Sequence, residues 1–368
     1  MLLGTIGTIN VKKQKTSKRH QAKKAIDEGK NHRRHRLGSC LIQLGLFVVT
    51  LALVSVLLIS TYVFYASVCP NLFHKEQFNN SVMNDEEYLA QLFSDYPHVR
   101  PWYRRLVKND LLKESEIYAT ADSTLLHAYY IQAKSPTTHT AIVVHGYKSS
   151  ALEIMYLAYM YHHDLGFNVL IPDLRTHGKS QGDHIGFGWT EQADIIQWAS
   201  VCDELFDHKD GEQLQIVVHG VSMGAATAMF VAGNPTQPDN ICLYIEDCGY
   251  TSTYDEIAYV AQRDYGMNDK PFVALASQFC QWIYGWNFQQ ASCVESLRHA
   301  HKPMLFIHGT ADRYVPFQMA LELYEAKPNN KEIWEVKDVI HARSYHDRRD
   351  EYTQRVSGFI NQHLYGAR

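Results

Sequence analysis

Short apolar runs recur along the second two-thirds of the chain, separated by stretches with helical spacing. Leu125–Ile131, Ala141–Val144, Asn168–Ile171, Leu214–Val218, Ile241–Ile245, Met304–Ile307 and Ile333–Val336 read as strands. Ala151–His163 is apolar nearly all round, as a helix packed on a sheet must be, and Thr190–Phe206 carries Ile195, Ile196, Trp198 and Val201 on one side. Arg349–Leu364 closes the chain as a helix bearing Tyr352, Val356, Phe359 and Ile360. Strands without polar alternation, separated by helices, predict an α/β fold: a mostly parallel sheet with helices on both faces. Ligands of such sheets gather beyond the carboxyl ends of the strands. The alternation breaks at about 252–300, a stretch rich in Tyr, Phe and Trp (Tyr254, Tyr259, Phe279, Trp282, Trp286) without a clean strand. It is predicted to be a small helical cap, its aromatic residues either lining a pocket or fixing the cap to the body.

The N-terminal pattern is different. Leu41–Tyr65 is a 25-residue apolar run inside a charge-free stretch from Leu37 to Asn71. A bilayer-spanning helix needs about 20 such residues. Tyr62, Phe64 and Tyr65 stand at its distal end, where interfacial aromatics belong. Residues 1–40 hold 11 Lys and Arg against Asp27 and Glu28, a net of +9; the remainder carries −13 of the overall −4. The positive-inside rule then keeps the arm in the cytoplasm and exports the large domain. A cleaved signal peptide would have a shorter core and a small-residue exit, and Tyr65-Ala66-Ser67-Val68-Cys69 offers no good triplet. A lipid-modified Cys69 is disfavoured by the bulky Val68 before it, and a buried core helix by the length of the run. The expected organisation is a basic, disordered cytoplasmic arm at 1–36, a transmembrane signal anchor at 37–69 and a linker with amphipathic lead-in at 70–113. A domain at 114–368 follows. The expected location is the cell membrane, single-pass, with the domain extracytoplasmic.

Seven cysteines without a CxxC do not make a disulfide framework. Export would permit disulfides, and Cys280–Cys293 is the pair to test. Cys242 and Cys248 fall in or beside a predicted strand and read as small apolar fillers. Asn79-Asn80-Ser81 is a glycosylation sequon, meaningful in a host that glycosylates.

The most informative stretch is Ile216-Val-Val-His-Gly-Val-Ser-Met-Gly224, followed by Ala225, Ala226, Thr227 and Ala228. An apolar strand, Gly-x-Ser-x-Gly and a small-residue helix describe a tight turn that lifts the Ser222 hydroxyl clear of the backbone. An ordinary strand-to-helix turn is the bland alternative. A serine hydroxyl attacks only when a base takes its proton and a third group orients that base. Asp312, after the Met304–Ile307 strand, is the best acid, and Asp247 at another strand end is its rival. His341, between the last strand and the last helix, is the best base; His346 lies five residues on and, at the start of the final helix, would face water. His145, His177 and His308 read as structural. An oxyanion needs two donors. The backbone N–H groups of Met223 and of Tyr147, in the loop after His145-Gly146, are the candidates.

Five motifs in this order resemble the α/β-hydrolase superfamily, specifically membrane-anchored bacterial serine hydrolases grouped with acyl esterases and serine aminopeptidase-like proteins. They are His145-Gly-Tyr-Lys-Ser-Ser150, Asp173-Leu-Arg-Thr-His-Gly-Lys-Ser180, Gly220-Val-Ser-Met-Gly224, His308-Gly-Thr-Ala-Asp312 and His341-Ala-Arg-Ser-Tyr345. The resemblance covers roughly residues 115–365. It implies an α/β-hydrolase fold, Ser222, Asp312 and His341 as a triad, Tyr147 and Met223 as oxyanion donors, and Asp173–Ser180 as a structural loop beside the site.

The leading expectation is a serine hydrolase cleaving carboxyl esters through an acyl-enzyme, on a small-molecule or lipid-like acyl substrate. An amidase or peptidase would use the same three residues. A non-catalytic surface receptor of the same fold is the competing class, and a membrane-biogenesis partner a third. No cofactor, metal or nucleic-acid partner is expected: the chain has no HExxH and no Gly-rich phosphate or dinucleotide loop, and His162-His163 is a weak pair on an apolar helix.

Overall fold

A computed structural model describes residues 4–69, 84–208, 212–268 and 270–364. The chain divides into two units, Met1–Ile59 and Ser60–Arg368. Helix α1 runs from Gly4 to Val68 without a break. The expectation of a disordered arm at 1–36 is therefore corrected: the basic segment is helical. Its composition explains this. Lys, Arg, Gln and Ala are good helix formers, and the first proline is Pro70. In the first unit Leu41, Leu44, Phe47, Leu51 and Leu58 all stand exposed. This one long apolar helix is a candidate membrane span or signal anchor.

The second unit opens with the last turns of α1, where Ser60, Val63, Phe64 and Val68 are buried. The linker at 70–83, with the sequon at Asn79, lies outside the described residues. The lead-in after it forms two helices. α2 (Asp85–Asp95) starts at Asn84 with a capping box, Asn84 and Glu87 each accepting from the other's backbone N–H. α3 (Val99–Lys108) buries Val99, Trp102 and Leu106.

Eight strands follow: β1 (Lys113–Tyr118), β2 (Leu125–Ile131), β3 (His139–Val144), β4 (Asn168–Pro172), β5 (Gln215–Val221), β6 (Ile241–Asp247), β7 (Met304–Gly309) and β8 (Lys331–Val336). They form one sheet in the order β1-β2-β4-β3-β5-β6-β7-β8. The six strands from β4 to β8 are parallel; β1–β2 and β2–β4 pair antiparallel. The central strands β3 and β5 are buried beyond their first, half-buried residue, whereas β1 alternates half-buried and exposed positions, as an edge must.

α4 (Met155–Tyr159) is shorter than its pattern predicts. The backbone turns through Ala151–Ile154 first, and α4 runs on into a single π-helical segment at Met160–Asp164. With α2, α3 and the terminal helix α12 (Arg349–Leu364) it covers one face, packing Leu92, Trp102, Leu157, Tyr352 and Phe359 against Val143, Val217 and Ile245. α5 (Glu191–Leu205) and α6 (Met223–Gly233) cover the other face. The predicted cap consists of α7 (Thr253–Tyr265), α8 (Phe272–Tyr284) and α9 (Cys293–Leu297), and α10 (Phe317–Ala326) connects β7 to β8. The cap's aromatics do both jobs: Phe279 meets Phe64 edge-on at 6.3 Å, and Tyr265 borders a cavity. Cys280 and Cys293 are both buried and both free, which corrects the disulfide expectation. Cys293 directs its sulfur toward the Ala226 carbonyl instead.

The fold depends on close backbone approach at the sheet's centre. A Cβ on Gly220 would fall 1.9 Å from the Gly224 carbonyl oxygen, and one on Gly224 2.1 Å from that of Val144. Neither obstacle is a movable side-chain end. Gly224→Ala should therefore cost about 3 kcal/mol or more, at or beyond the upper end of ordinary overpacking, in urea unfolding. A loss under about 1 kcal/mol would show that β3 and α6 do not meet this closely.

Candidate active site

Ser222 stands between the end of β5 and the start of α6 with φ 57° and ψ −117°. A non-glycine residue with positive φ is strained and persists only where surrounding structure imposes it. Here the imposition is backbone hydrogen bonding: Ser222 N–H donates to the Asp247 carbonyl (2.8 Å), and Ala226 N–H donates to the Ser222 carbonyl (3.1 Å).

Asp312 and His341 reach the same point from neighbouring loops. A Cβ at Gly309 would lie 2.2 Å from the Val339 carbonyl oxygen, so only glycine lets the loop after β8 lie against the end of β7. The loops are laced by Ala311 N–H to Val339 O (3.0 Å), Thr310 N–H to Val336 O (2.9 Å) and Asp338 N–H to the Thr310 hydroxyl (2.9 Å). His341 Nδ1 donates to Asp312 Oδ2 at 2.7 Å, and His341 Nε2 lies 3.0 Å from Ser222 Oγ, oriented to accept its proton. The structure thus brings the three sequence-predicted residues together, although 119 residues separate the serine from the imidazole.

Asp312 is buried, and burial alone would push its pKa up. Hydrogen bonds from His308 and His341 outweigh that and hold it at about 2. Its Oδ1 also accepts from the N–H groups of Tyr314 (2.8 Å) and Val315 (2.9 Å). His308 therefore does more than expected. Besides its bond to Val315 O at 2.9 Å it lies 3.4 Å from Asp312 Oδ2, supporting the carboxylate from behind.

The rivals are committed elsewhere. Asp247 accepts from the Tyr352 hydroxyl (3.0 Å) and the Ser344 hydroxyl (3.2 Å). Tyr352 in turn accepts from His219, whose other nitrogen accepts from the Tyr161 hydroxyl, each at 2.9 Å. His346 is not in α12 but in a preceding short helix, α11 (Ser344–Asp347), where it contacts Arg343 and Asp347. His145 accepts from Leu174 N–H and His177 from Lys148 N–H, both holding loops. In the Asp173–Ser180 loop, Asp173 takes Ala151 N–H, Lys179 N–H and His127 Nδ1, while Arg175 grips Asp194 with two bonds. His162 accepts from the Trp102 indole, so the His162-His163 pair offers no joint ligand set.

Met223 N–H belongs to the first turn of α6, where N–H groups have no intrahelical acceptor. Tyr147 follows Gly146, and a Cβ at Gly146 would touch Ser222 Cβ at 3.3 Å, so this loop runs directly over the serine. The Tyr147 ring stacks on Phe187 (5.4 Å), and its hydroxyl donates to the carbonyls of Ala66 and Ser67.

Two cavities meet at Ser222. One, about 340 Å³, is bordered by Tyr88, Tyr96, Glu153, His341 and Arg343. The other, about 270 Å³, is bordered by Met223, Phe187, Tyr250, Tyr314, Glu256 and, from the end of α1, Val63. Glu256 was not legible as a site residue. It is 5 % exposed, and among the described residues neither carboxylate oxygen has a hydrogen-bond partner. Among the described residues one group has metal-ligand spacing: Cys248, Asp312 and His341, with donor atoms within 4.8 Å of one another. Two of its three donors already serve the Ser222 hydrogen-bond chain, and burial pushes the Cys248 thiol well up, away from the thiolate that binds metals.

The profile of the alpha/beta hydrolase family matches residues 141–355. The uncharacterized protein YqkD of Bacillus subtilis is 31% identical over 232 residues, 63% of this chain and 74% of that protein. Esterase YjfP of Escherichia coli is 26% identical over 224 residues, 58% of this chain and 84% of that protein. Among solved structures, the esterase Pf2001 of Pyrococcus furiosus superposes with a TM-score of 0.54 at 25% identity, over 70% of this chain and 95% of its own.

Burial pushes the Glu256 carboxyl up to about 8 from an ordinary 4.5, helped by nearby Asp312 and opposed by Arg263. A raised folded-state value means folding takes up a proton between those limits. The contribution is fully present below pH 4.5 and is lost as pH rises through 8, at about 1.4 kcal/mol per pH unit. Glu256→Gln removes this titration. Its melting temperature relative to the unaltered chain should be near zero at pH 5 and clearly higher at pH 8.5; equal differences at both pH values would contradict the burial of a protonated acid.

Proposed function

Since this chain belongs to the alpha/beta hydrolase family, we propose that it is a serine hydrolase of carboxyl esters, with Ser222 as nucleophile, His341 as general base and acid, and Asp312 as the orienting carboxylate. The observation that carries the reading is the hydrogen-bond chain from Ser222 Oγ through both imidazole nitrogens to a carboxylate held at about 2. Asp312 fixes the proton on Nδ1, leaving Nε2 free to accept the serine proton as Oγ attacks the ester carbonyl. The oxyanion then forms against the backbone N–H groups of Met223 and Tyr147, in the field of the α6 N-terminus. The imidazolium returns its proton to the departing alcohol, and water releases the acyl group by the same route.

His341 borders only the 340 Å³ cavity. The leaving group must lie beside the group that protonates it, so this cavity takes the alcohol and the 270 Å³ cavity takes the acyl chain. That two of the relatives are named esterases favours esters over amides as substrates.

The charge asymmetry around α1 supports a single-pass anchor with the basic arm (1–36) cytoplasmic, the span at 37–69, the lead-in at 70–113 and the hydrolase domain (114–368, cap about 252–300) outside. A C-terminal alkaline phosphatase fusion in a bacterial host should then be active and a β-galactosidase fusion inactive; the reverse pattern would overturn the orientation.

A fluorophosphonate probe should label the purified protein at Ser222. Ser222→Ala should abolish labelling and the turnover of short p-nitrophenyl esters while keeping the melting temperature within a few degrees. Asp312→Asn should lower kcat by roughly 10³- to 10⁴-fold, because the imidazole then takes the wrong tautomer. A folded protein that neither reacts with the probe nor cleaves esters would favour a non-catalytic receptor.

A further inference from the structure

Glu256 is a buried acid with two acceptor oxygens, no partner among the described residues and a cavity in front of it that ends at Ser222. Buried polar atoms are almost always satisfied, and one that is not invites a ligand. The neighbouring groups do not supply one. The hydroxyl of Tyr250 donates to the Phe187 carbonyl (2.8 Å), and that of Tyr147 donates to Ala66 and Ser67, so both phenols border the cavity with their donors spent elsewhere. Lys148 also borders it, but its nitrogen sits over the Tyr147 ring at 5.3 Å and forms no ion pair with Glu256 among the described residues. Arg263, on the same helix, is committed to Asp264 and to the Arg313 carbonyl.

The rest of the lining combines six aromatic residues, Tyr62, Tyr147, Phe187, Tyr250, Tyr265 and Tyr314, with aliphatic ones such as Val63, Ile257, Val260 and Met267. Aromatic faces attract cations, and Tyr314 already demonstrates it, with the Arg263 guanidinium 4.6 Å from its centroid. An unpartnered carboxyl in a cavity that also presents several aromatic rings is the chemistry that holds a small cation with N–H donors. A neutral alkyl chain would leave both oxygens buried and unmet. A cation instead draws the carboxyl into its charged form and satisfies it.

We propose that Glu256 sets acyl specificity, and that the acyl group accepted beside Ser222 carries a primary ammonium. This rests on the serine hydrolase reading and on the assignment of the smaller cavity to the acyl chain. The volume, about 270 Å³, limits the acyl group to a short chain.

The test compares p-nitrophenyl esters of 4-aminobutyrate and 6-aminohexanoate with their methyl-for-ammonium counterparts, pentanoate and heptanoate, and with 6-hydroxyhexanoate. For at least one chain length the amino ester should exceed its neutral counterpart by 10-fold or more in kcat/KM. Glu256→Gln should shrink that ratio by at least 10-fold. Preference for the neutral or hydroxy ester at both lengths, or a ratio unchanged in the variant, overturns the proposal while leaving the esterase reading intact. A second readout needs no turnover. Butylammonium chloride should raise the melting temperature of the unaltered protein and not that of Glu256→Gln, and 1-butanol should do neither. If no ester is cleaved but butylammonium acts in this way, the ammonium site stands and the esterase reading falls. If butylammonium leaves both proteins unmoved, the site is refuted whether or not esters are cleaved.

Discussion

The missing Cβ atoms of Gly220 and Gly224 are the constraint from which the site is built. With the Gly224 Cα against the Val144 carbonyl, α6 lies directly over the C-terminal ends of β3 and β5. That closeness forces Ser222 into its positive-φ corner and leaves its hydroxyl at the one place the loops after β7 and β8 both reach. Gly309 repeats the device two strands away, where the absence of a side chain brings the loop of His341 down onto the loop of Asp312. Three backbone-to-backbone approaches, and not the polar residues themselves, set the distances between Ser222, His341 and Asp312.

Behind that front lies a second polar line, Tyr161–His219–Tyr352–Asp247, buried and satisfied throughout. It explains why the Asp247 carboxylate, as well placed in sequence as that of Asp312, does not meet His341, although the Asp247 backbone carbonyl holds Ser222 N–H. Tyr352 comes from the terminal helix and takes one carboxylate oxygen; Ser344 takes the other. A buried network with every member paired rigidifies the core it crosses, and here it ties α12 to the centre of the sheet.

Much of this was legible. Seven strands, the elbow and the meeting of Asp312 and His341 with Ser222 could be read because strand burial leaves unbroken apolar runs and because a strained turn needs glycine at fixed places. The edge was harder: β1, Lys-Glu-Ser-Glu-Ile-Tyr, is half solvated and has no apolar run to betray it. The basic arm was read as disordered because it lacks an amphipathic stripe, yet nothing in it breaks a helix. α4 was overestimated because an apolar stretch does not reveal where its backbone turns. Glu256 gives no signal in the sequence for a different reason. An acid in the first turn of a helix is explained locally by the helix dipole, and α7 carries two of them, Asp255 and Glu256. That Asp255 faces solvent and Glu256 a cavity is decided by tertiary packing alone.

The two rims of the sheet have a consequence of their own. An open sheet leaves unpaired backbone groups along both outer strands, a template onto which another copy can zip. Here β1 carries Lys113, Glu114 and Glu116, and β8 carries Lys331, Glu332 and Glu335. Docking one rim on another would desolvate these charges at each step of the ladder. Such a deterrent matters most where many copies of a domain are crowded together: crowding raises the encounter rate, and ionic rims keep those encounters from ending in aggregation.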